Sequence, residues 1–537
     1  MPVLPAAGPP ADLLPPGPRT ILELRGVRKA FGPVVALAAA DFQLREREIH
    51  GLLGGNGAGK TTLMNILYGL YRADAGEVFL DGRPIEIRSP RDALRHGIGM
   101  VHQHFLQVET FTVAQNIALG MPAGRRLLPT PVESERRIRE LAARFGLEVD
   151  PHALVAELPV GVRQRVEILK ALYRRVRILI LDEPTTNLTP QEVDSLFASL
   201  QAMVREGISV VFITHKIREA LAVCQRITVM RSGRRVLTVP REEAAEEALV
   251  RAMVGEEVDL GRSVLFSGGG GKRRPSGGPA VLRVDGLSVS AKGGVSLVRD
   301  CSLAVSAGEI FGLAGVAGNG QRELVEALVG VRRAAGGRVW IGEAEVTDAG
   351  TADRLALGVA YIPEDRLHDG FLPRGTVAQN LILGAHRRRP YARGPWLDWR
   401  AAFEAARRLI EEYRIHTPGP DTPAVNLSGG NIQRLMLARA FSFPCRLLIA
   451  HNPTRGLDVP STEFVYRKFL ELRDRGAGTL LISEDLDELF LLCDRIAVLY
   501  RGRIAGVLGR EEFDRYRIGR LMAGVEAAGA GPAGARP

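Results

Sequence analysis

Residues 54–62 read "GGNGAGKTT". The run satisfies G-x-x-x-x-G-K-[ST] through Gly54, Gly59, Lys60 and Thr61. Before it stands "EIHGLL", a short apolar run suited to a strand buried on both faces. After it stands "TTLMNILYGLY", whose apolar residues have helical spacing. Strand, glycine loop and helix in that order form a phosphate cradle. Glycines let backbone N–H groups converge on phosphate oxygens, and the helix N-terminus adds partial positive charge. Gly55, Asn56, Gly57 and Ala58 complete the loop, and Thr62 follows in the first helical turn. Lys60 is placed to reach the β- and γ-phosphates of a nucleotide, and Thr61 offers a hydroxyl to Mg²⁺.

A second version of the loop lies further along. Residues 312–324 read "GLAGVAGNGQREL". Gly315 and Gly320 keep the glycine frame, but Gln321 and Arg322 replace Lys and Thr. The two loops belong to an internal duplication. "CQRITVMRSGR" from Cys224 matches "CDRIAVLYRGR" from Cys493, and "RILILDEPTTNLTP" from Arg177 matches "RLLIAHNPTRGLDV" from Arg446, both at an offset of 269. "FTVAQNI" from Phe111 matches "GTVAQNL" from Gly375 at an offset of 264, so the second copy carries small insertions. Between the copies, residues 267–279 read "SGGGGKRRPSGGP", the composition of a flexible linker. The expected division is a disordered segment over 1–18, one domain over 19–258, a linker over 259–279, a second domain over 280–523 and a disordered tail over 524–537. Each copy alternates strands with helices, which predicts an α/β fold with tandem P-loop cores, each with a helical subdomain.

Composition fits this picture. Apolar residues make up 46% of the 537, enough for two large cores. The four cysteines, Cys224, Cys301, Cys445 and Cys493, form no C-x-x-C pair, so neither a metal site nor a disulfide framework is indicated. No run of 18 apolar residues occurs, so no spanning helix is expected. The proline-rich start, "MPVLPAAGPPADLLPPGP", lacks the basic region of a signal peptide. A net charge of +10 suits either arginines on solvated helices or an anionic partner.

Other residues gain meaning from their order after the P-loop. "ILILDEP" puts Asp182 and Glu183 at the end of a buried strand. Asp182 is placed to hold Mg²⁺, and Glu183 to orient and deprotonate an attacking water. Gln103 follows in "MVHQHF", and His215 ends the apolar run "VVFITH". Together with Phe31 and the "LPVGVRQRVEILKAL" region, the set resembles an ATP-binding cassette (ABC) ATPase, twice over, across nearly all of residues 19–523. The resemblance implies ATP and Mg²⁺ as ligands, with Gln103 reaching the metal beside Thr61 and Asp182. It makes His215 a switch residue, and it gives Phe31 a stacking role on adenine unless that ring is an ordinary core residue. In the family each ATP lies between the P-loop of one domain and the signature loop, L-S-G-G-Q, of the other.

The losses sort between the copies. In the second, the repeat places Gln321 for Lys60, Arg322 for Thr61, Glu364 for Gln103, His451 for Asp182, Asn452 for Glu183 and Glu484 for His215. The signature loops show the reverse. The second copy keeps "LSGGN", with Ser428, Gly429 and Gly430, followed by Asp458, whereas the first has Pro159 and Val160. Cross-pairing yields one complete site and one broken on both faces. The resemblance narrows through "MVHQHF", "LTPQE", "GVAGNGQRELVEAL" and "YIPEDR" to fused ATPases of simple-sugar and nucleoside importers, with the nucleoside branch favoured. It implies two membrane permease subunits docking near residues 103–158, an extracytoplasmic substrate-binding protein, a peripheral place on the cytoplasmic face of the plasma membrane, and no nucleic acid. Tandem ABC proteins that act on ribosomes usually keep both sites and a long charged linker, which this chain lacks.

Overall fold

The structure is a computed structural model. It describes residues 19–32, 34–103, 105–120, 131–186, 188–255, 264, 278–291, 294–457 and 459–525. The expected N-terminal segment, most of the linker and tail, and Asp458 lie outside the described residues. The chain divides into two compact units, residues 1–186 with 194–255, and residues 256–537 with 187–193.

In the first unit a ten-stranded sheet runs through both halves of the fold. Its parallel core pairs Ile49–Leu53 with Ser209–Thr214 on one side and Arg226–Arg231 on the other, then continues through Ile178–Asp182 to Ile98–Val101. Every residue of Ile49–Leu53, Ile178–Asp182 and Ser209–Thr214 is buried, which is why these stretches read as apolar runs without alternation. An antiparallel layer, Thr20–Phe31 against Val34–Arg45 and Ala75–Leu80, joins the core through the single pair Arg234↔Ala39. The second unit has the same strand order in two sheets. Its parallel core runs Val359–Ile362, Leu447–His451, Gly478–Ser483, Ile310–Ala314 and Arg495–Tyr500, with Arg503–Gly509 antiparallel at the edge.

The repeat is visible in small features. Both P-loop helices, Lys60–Leu67 and Gln321–Leu328, start from a glycine in the left-handed region, Gly59 at φ 98° and Gly320 at φ 104°. A Cβ there would lie 2.8 Å from Ala36 O and 2.7 Å from Leu297 O, so only glycine fits. The helix expected through Tyr71 stops at Leu67, because Gly69 turns the chain at φ 78° against the backbone of Ser89. Thr112 with Gln115, and Thr376 with Gln379, build the same capping box from the shared T-V-A-Q-N. The repeated cysteines are packing residues: Cys224 Sγ lies 3.0 Å from where a Cβ on Gly51 would sit, and Cys493 Sγ 2.8 Å from that of Gly312.

One part-buried pair differs between the units in its charge. Thr185 donates to Glu219 at 2.6 Å, and Lys216 pairs with the same carboxylate at 3.1 Å. In the second unit Thr454 donates to Glu488 at 2.8 Å, but Asp485 occupies the lysine's place. Burial, with the Asp485 charge adding to it, raises the Glu488 carboxyl from 4.5 to about 7. A carboxyl that binds its proton more tightly when folded costs stability as pH rises from 4.5 to about 7. Glu488→Gln keeps an acceptor for Thr454 and removes that cost. We expect thermal unfolding to show the variant more stable than the parent at pH 8, by up to about 3 kcal/mol, with the gain gone at pH 4. A gain equal at both pH values would refute the assignment.

Candidate functional site

The P-loop, the acidic pair and the two following strand ends meet at the carboxyl edge of the first unit's parallel core. Ile49–Leu53 delivers Gly54–Thr61, Ile98–Val101 delivers Gln103, Ile178–Asp182 delivers the acidic pair, and Ser209–Thr214 delivers His215. This is the edge where open parallel sheets bind ligands. Lys60 is buried, and its ammonium donates to Gly54 O at 2.8 Å and Gly55 O at 3.1 Å. Burial lowers its pKa, against the pull of Glu183 and Asp182.

Glu183 stands between the two residues expected to work with it. Gln103 Nε2 donates to Glu183 Oε2 at 2.9 Å, and His215 Nδ1 lies 2.9 Å from Oε1. An ionised carboxylate only accepts, so His215 carries its proton on Nδ1. Glu183 itself has φ 49°, a left-handed conformation uncommon for a side chain of its size. Burial works to raise its carboxyl, but the hydrogen bond and charge of His215, with Lys60 and Lys216, hold it below 4.5. Asp182 behaves oppositely. Burial raises it to about 6, even though the Thr61 hydroxyl bonds to it. Thr61 and Asp182 are adjacent hard oxygen donors that fit Mg²⁺ completed by phosphate oxygens, while the Gln103 amide bonds to Glu183. Among the described residues, no cluster of three or more His, Cys, Asp or Glu could hold a metal by itself.

Phe31 ends an outer strand with 43% of its surface exposed, so it is no core residue. Its ring meets Tyr71 edge-on at 5.2 Å, a partner that sequence reading did not single out.

The second unit builds a different arrangement on the same frame. Gln321 turns into its own loop: Nε2 donates to Val316 O at 3.0 Å, and its carbonyl accepts from the Asn319 N–H at 3.1 Å. Lysine has no acceptor, so Lys60 cannot take up a loop N–H in this way. Arg322 leaves the loop for Glu326 at 2.9 Å. Asn452, at φ 45°, donates through Nδ2 to Glu364 Oε1 at 3.0 Å. The amide–carboxylate bond of Gln103 and Glu183 is thus kept with donor and acceptor exchanged between strands. Glu364 also takes Arg455 at 2.7 Å, and His451 stands 3.6 Å away. Arg455, aligned with Thr186, is the residue missed in the sequence; a carboxylate at the Gln103 position was the signal for a compensating cation.

The signature loops differ in what they can donate. Ser428 caps the helix Gly429–Phe441 and accepts from Asn431 N at 3.4 Å and Asn431 Nδ2 at 3.0 Å. With both acceptor positions used, its hydroxyl proton is what it offers outward. Pro159 starts the helix Val160–Tyr173 with no side-chain cap. Proline suits a helix start, so the helix persists without the hydroxyl.

A family model described as ABC transporter matches residues 37–186 and again residues 298–455, more than half of the chain. The chain belongs to the ABC transporter family. It is an ATPase of that family, with the tandem P-loop fold expected from its motifs. This ABC chain is 40% identical over 513 residues to the guanosine import ATP-binding protein NupO of Bacillus subtilis, covering 96% of this chain and 99% of that one. It is 42% identical over 534 residues to the glucose import ATP-binding protein TsgD13 of Haloferax volcanii, covering 94% and 96%. It is 40% identical over 505 residues to the nucleoside import ATP-binding protein NupA of Lactococcus lactis, covering 94% and 98%. Among the described residues of this ABC ATPase, no helix is long and apolar enough to cross a membrane.

Proposed function

We propose that the chain is the ATPase subunit of an importer that takes up nucleosides through separate permease subunits, on the cytoplasmic face of the membrane. An extracytoplasmic substrate-binding protein delivers the cargo. The observation that carries the ATPase assignment is Glu183 bracketed by Gln103 and His215 above an intact P-loop.

The chemistry follows from these groups. Glu183, ionised at neutral pH, accepts a proton from water, while His215 and Gln103 fix the direction of its two oxygens. Lys60 and the loop N–H groups hold the β- and γ-phosphates of ATP. Mg²⁺, held by Thr61 and Asp182, would neutralise developing phosphate charge. Ser428, Gly429 and Asp458, which the first copy replaces with Pro159, Val160 and Thr189, complete this site together with Gly430. The converse site, with Gln321, Arg322, His451, Asn452, Pro159 and Val160, does not hydrolyse ATP.

For the cargo, relatives named for guanosine and nucleoside import favour nucleosides, as do "HQHF" and "GVAGNGQ". A relative named for glucose import, 42% identical, supports monosaccharides as the second reading. The test is co-purification with the permeases, then uptake of radiolabelled nucleosides and monosaccharides by the reconstituted complex. Nucleoside uptake that stops without ATP is the expected result. Uptake of sugars alone would replace the cargo, and failure to bind any permease would remove the importer reading.

A further inference from the structure

The second copy carries five of its extra residues between "TVAQN" and the signature loop, where the offset grows from 264 to 269. Here "RRRPYARGPWLDWR", Arg387–Arg400, leads into the helix Trp399–Glu412. Ala392–Arg393 and Trp396–Leu397 pair as a very short antiparallel hairpin. The hairpin is anchored from below. Tyr391 is buried in a small cluster with Ile382, Ala385, Ala402 and Ala405, and meets Phe443 edge-on at 6.0 Å. Asp398 caps the following helix through Ala401 N at 3.1 Å and takes Arg393 at 2.9 Å.

What this anchored hairpin presents is unusual for the chain. Trp396 is 77% exposed, and Leu397 and Trp399 are also exposed. Two of the chain's three tryptophans therefore face solvent within four residues. Arg387, Arg388, Arg389, Arg393 and Arg400 are exposed in the same stretch, outnumbering the two carboxylates that pair with them, Asp398 with Arg393 and Glu404 with Arg400 at 3.2 Å. An indole prefers the boundary between water and lipid, where its ring is apolar and its N–H stays wet. Arginine binds phosphate oxygens in pairs, and each basic residue near an anionic surface adds attraction. The rings are exposed on a two-residue-strand hairpin and the helix start that follows it, beside exposed Leu397, an apolar–basic mixture that suits insertion among headgroups.

We propose that this hairpin is a membrane-surface contact that takes anionic phospholipid headgroups, with Trp396 entering the interface and the arginines pairing with phosphate. The proposal is independent of the cargo and of the permeases. The test uses the purified full chain and vesicles of phosphatidylcholine, alone or mixed with phosphatidylglycerol. Sedimentation with the mixed vesicles, weakened by salt, and little with the neutral ones is expected. The triple variant Trp396→Ser, Arg387→Gln, Arg400→Gln should lose at least about tenfold in partitioning, with ATP hydrolysis unchanged. Mixed vesicles should also shift indole emission to shorter wavelength, and Trp396→Phe should remove most of that shift. Equal sedimentation with both vesicle types, or a triple variant that binds as the parent does, would overturn the proposal. So would a variant that loses permease or RNA binding while its vesicle binding is intact, since that assigns the patch to a different partner. No permease is present in the vesicle assay, so its failure leaves the importer reading standing.

Discussion

Glu183→Gln should reduce ATP hydrolysis by about 10²–10⁴, while Asn452→Ala leaves it near the parent rate. Glutamine keeps the size of Glu183 and can still accept from His215 Nδ1, 2.9 Å from the carboxylate in the parent. It cannot accept a proton from water. Nucleotide binding should survive, because Lys60 and the loop glycines are untouched. Asn452 occupies the equivalent turn at φ 45° and bonds to Glu364 at 3.0 Å and to the Glu484 N–H at 3.1 Å. Its amide has no basic role to lose. Steady-state hydrolysis with equilibrium binding of a fluorescent ATP analogue separates the two effects. Comparable losses in both variants would refute the proposal of one hydrolytic site.

Lys60→Met should weaken nucleotide binding and lower turnover by about 10²–10³, the scale for removing one preorganised donor to transition-state charge. Gln321→Met should leave turnover nearly unchanged. Both parent side chains fold onto their own loops, but with different chemistry. Lys60 donates to Gly54 O and Gly55 O, and its ammonium can transfer to phosphate oxygens without leaving a loop donor unmet. Gln321 satisfies an acceptor at Val316 O and a donor at Asn319 N, so its loop is closed by its own side chain. Its loss should appear as lower stability of the second unit, measured by thermal unfolding. Equal loss of hydrolysis in the two variants would show that the second loop contributes to turnover and overturn the asymmetry.

Much of the candidate site was legible because it is written in local motifs. Gly54–Thr61 must be contiguous to form a loop between one strand and one helix. Asp182 and Glu183 must follow a buried strand, whose apolar run is conspicuous. The repeat then carried the reading across, so that Gln321, His451 and Asn452 could be named without coordinates. Phe31 was ambiguous, since an aromatic at a strand end can face either way; its exposure beside Tyr71 resolved that. Glu364 and Asn452 stand 88 residues apart. Nothing in their separate motifs says that they meet.

The amino-acid sequence by itself determined the duplication, the α/β class, the intact first P-loop with its acidic pair, and the altered signature loop of that same copy. These depend on residue identity within short spans. The tertiary structure alone decided how the altered copy satisfies its polar groups: Gln321 filling its own loop, and Asn452 donating to Glu364 where Gln103 donates to Glu183. It also decided that Arg455 neutralises the new carboxylate. Those outcomes depend on distances among strand ends that parallel pairing brings together from remote parts of the chain, and on the rule that buried polar groups must find partners.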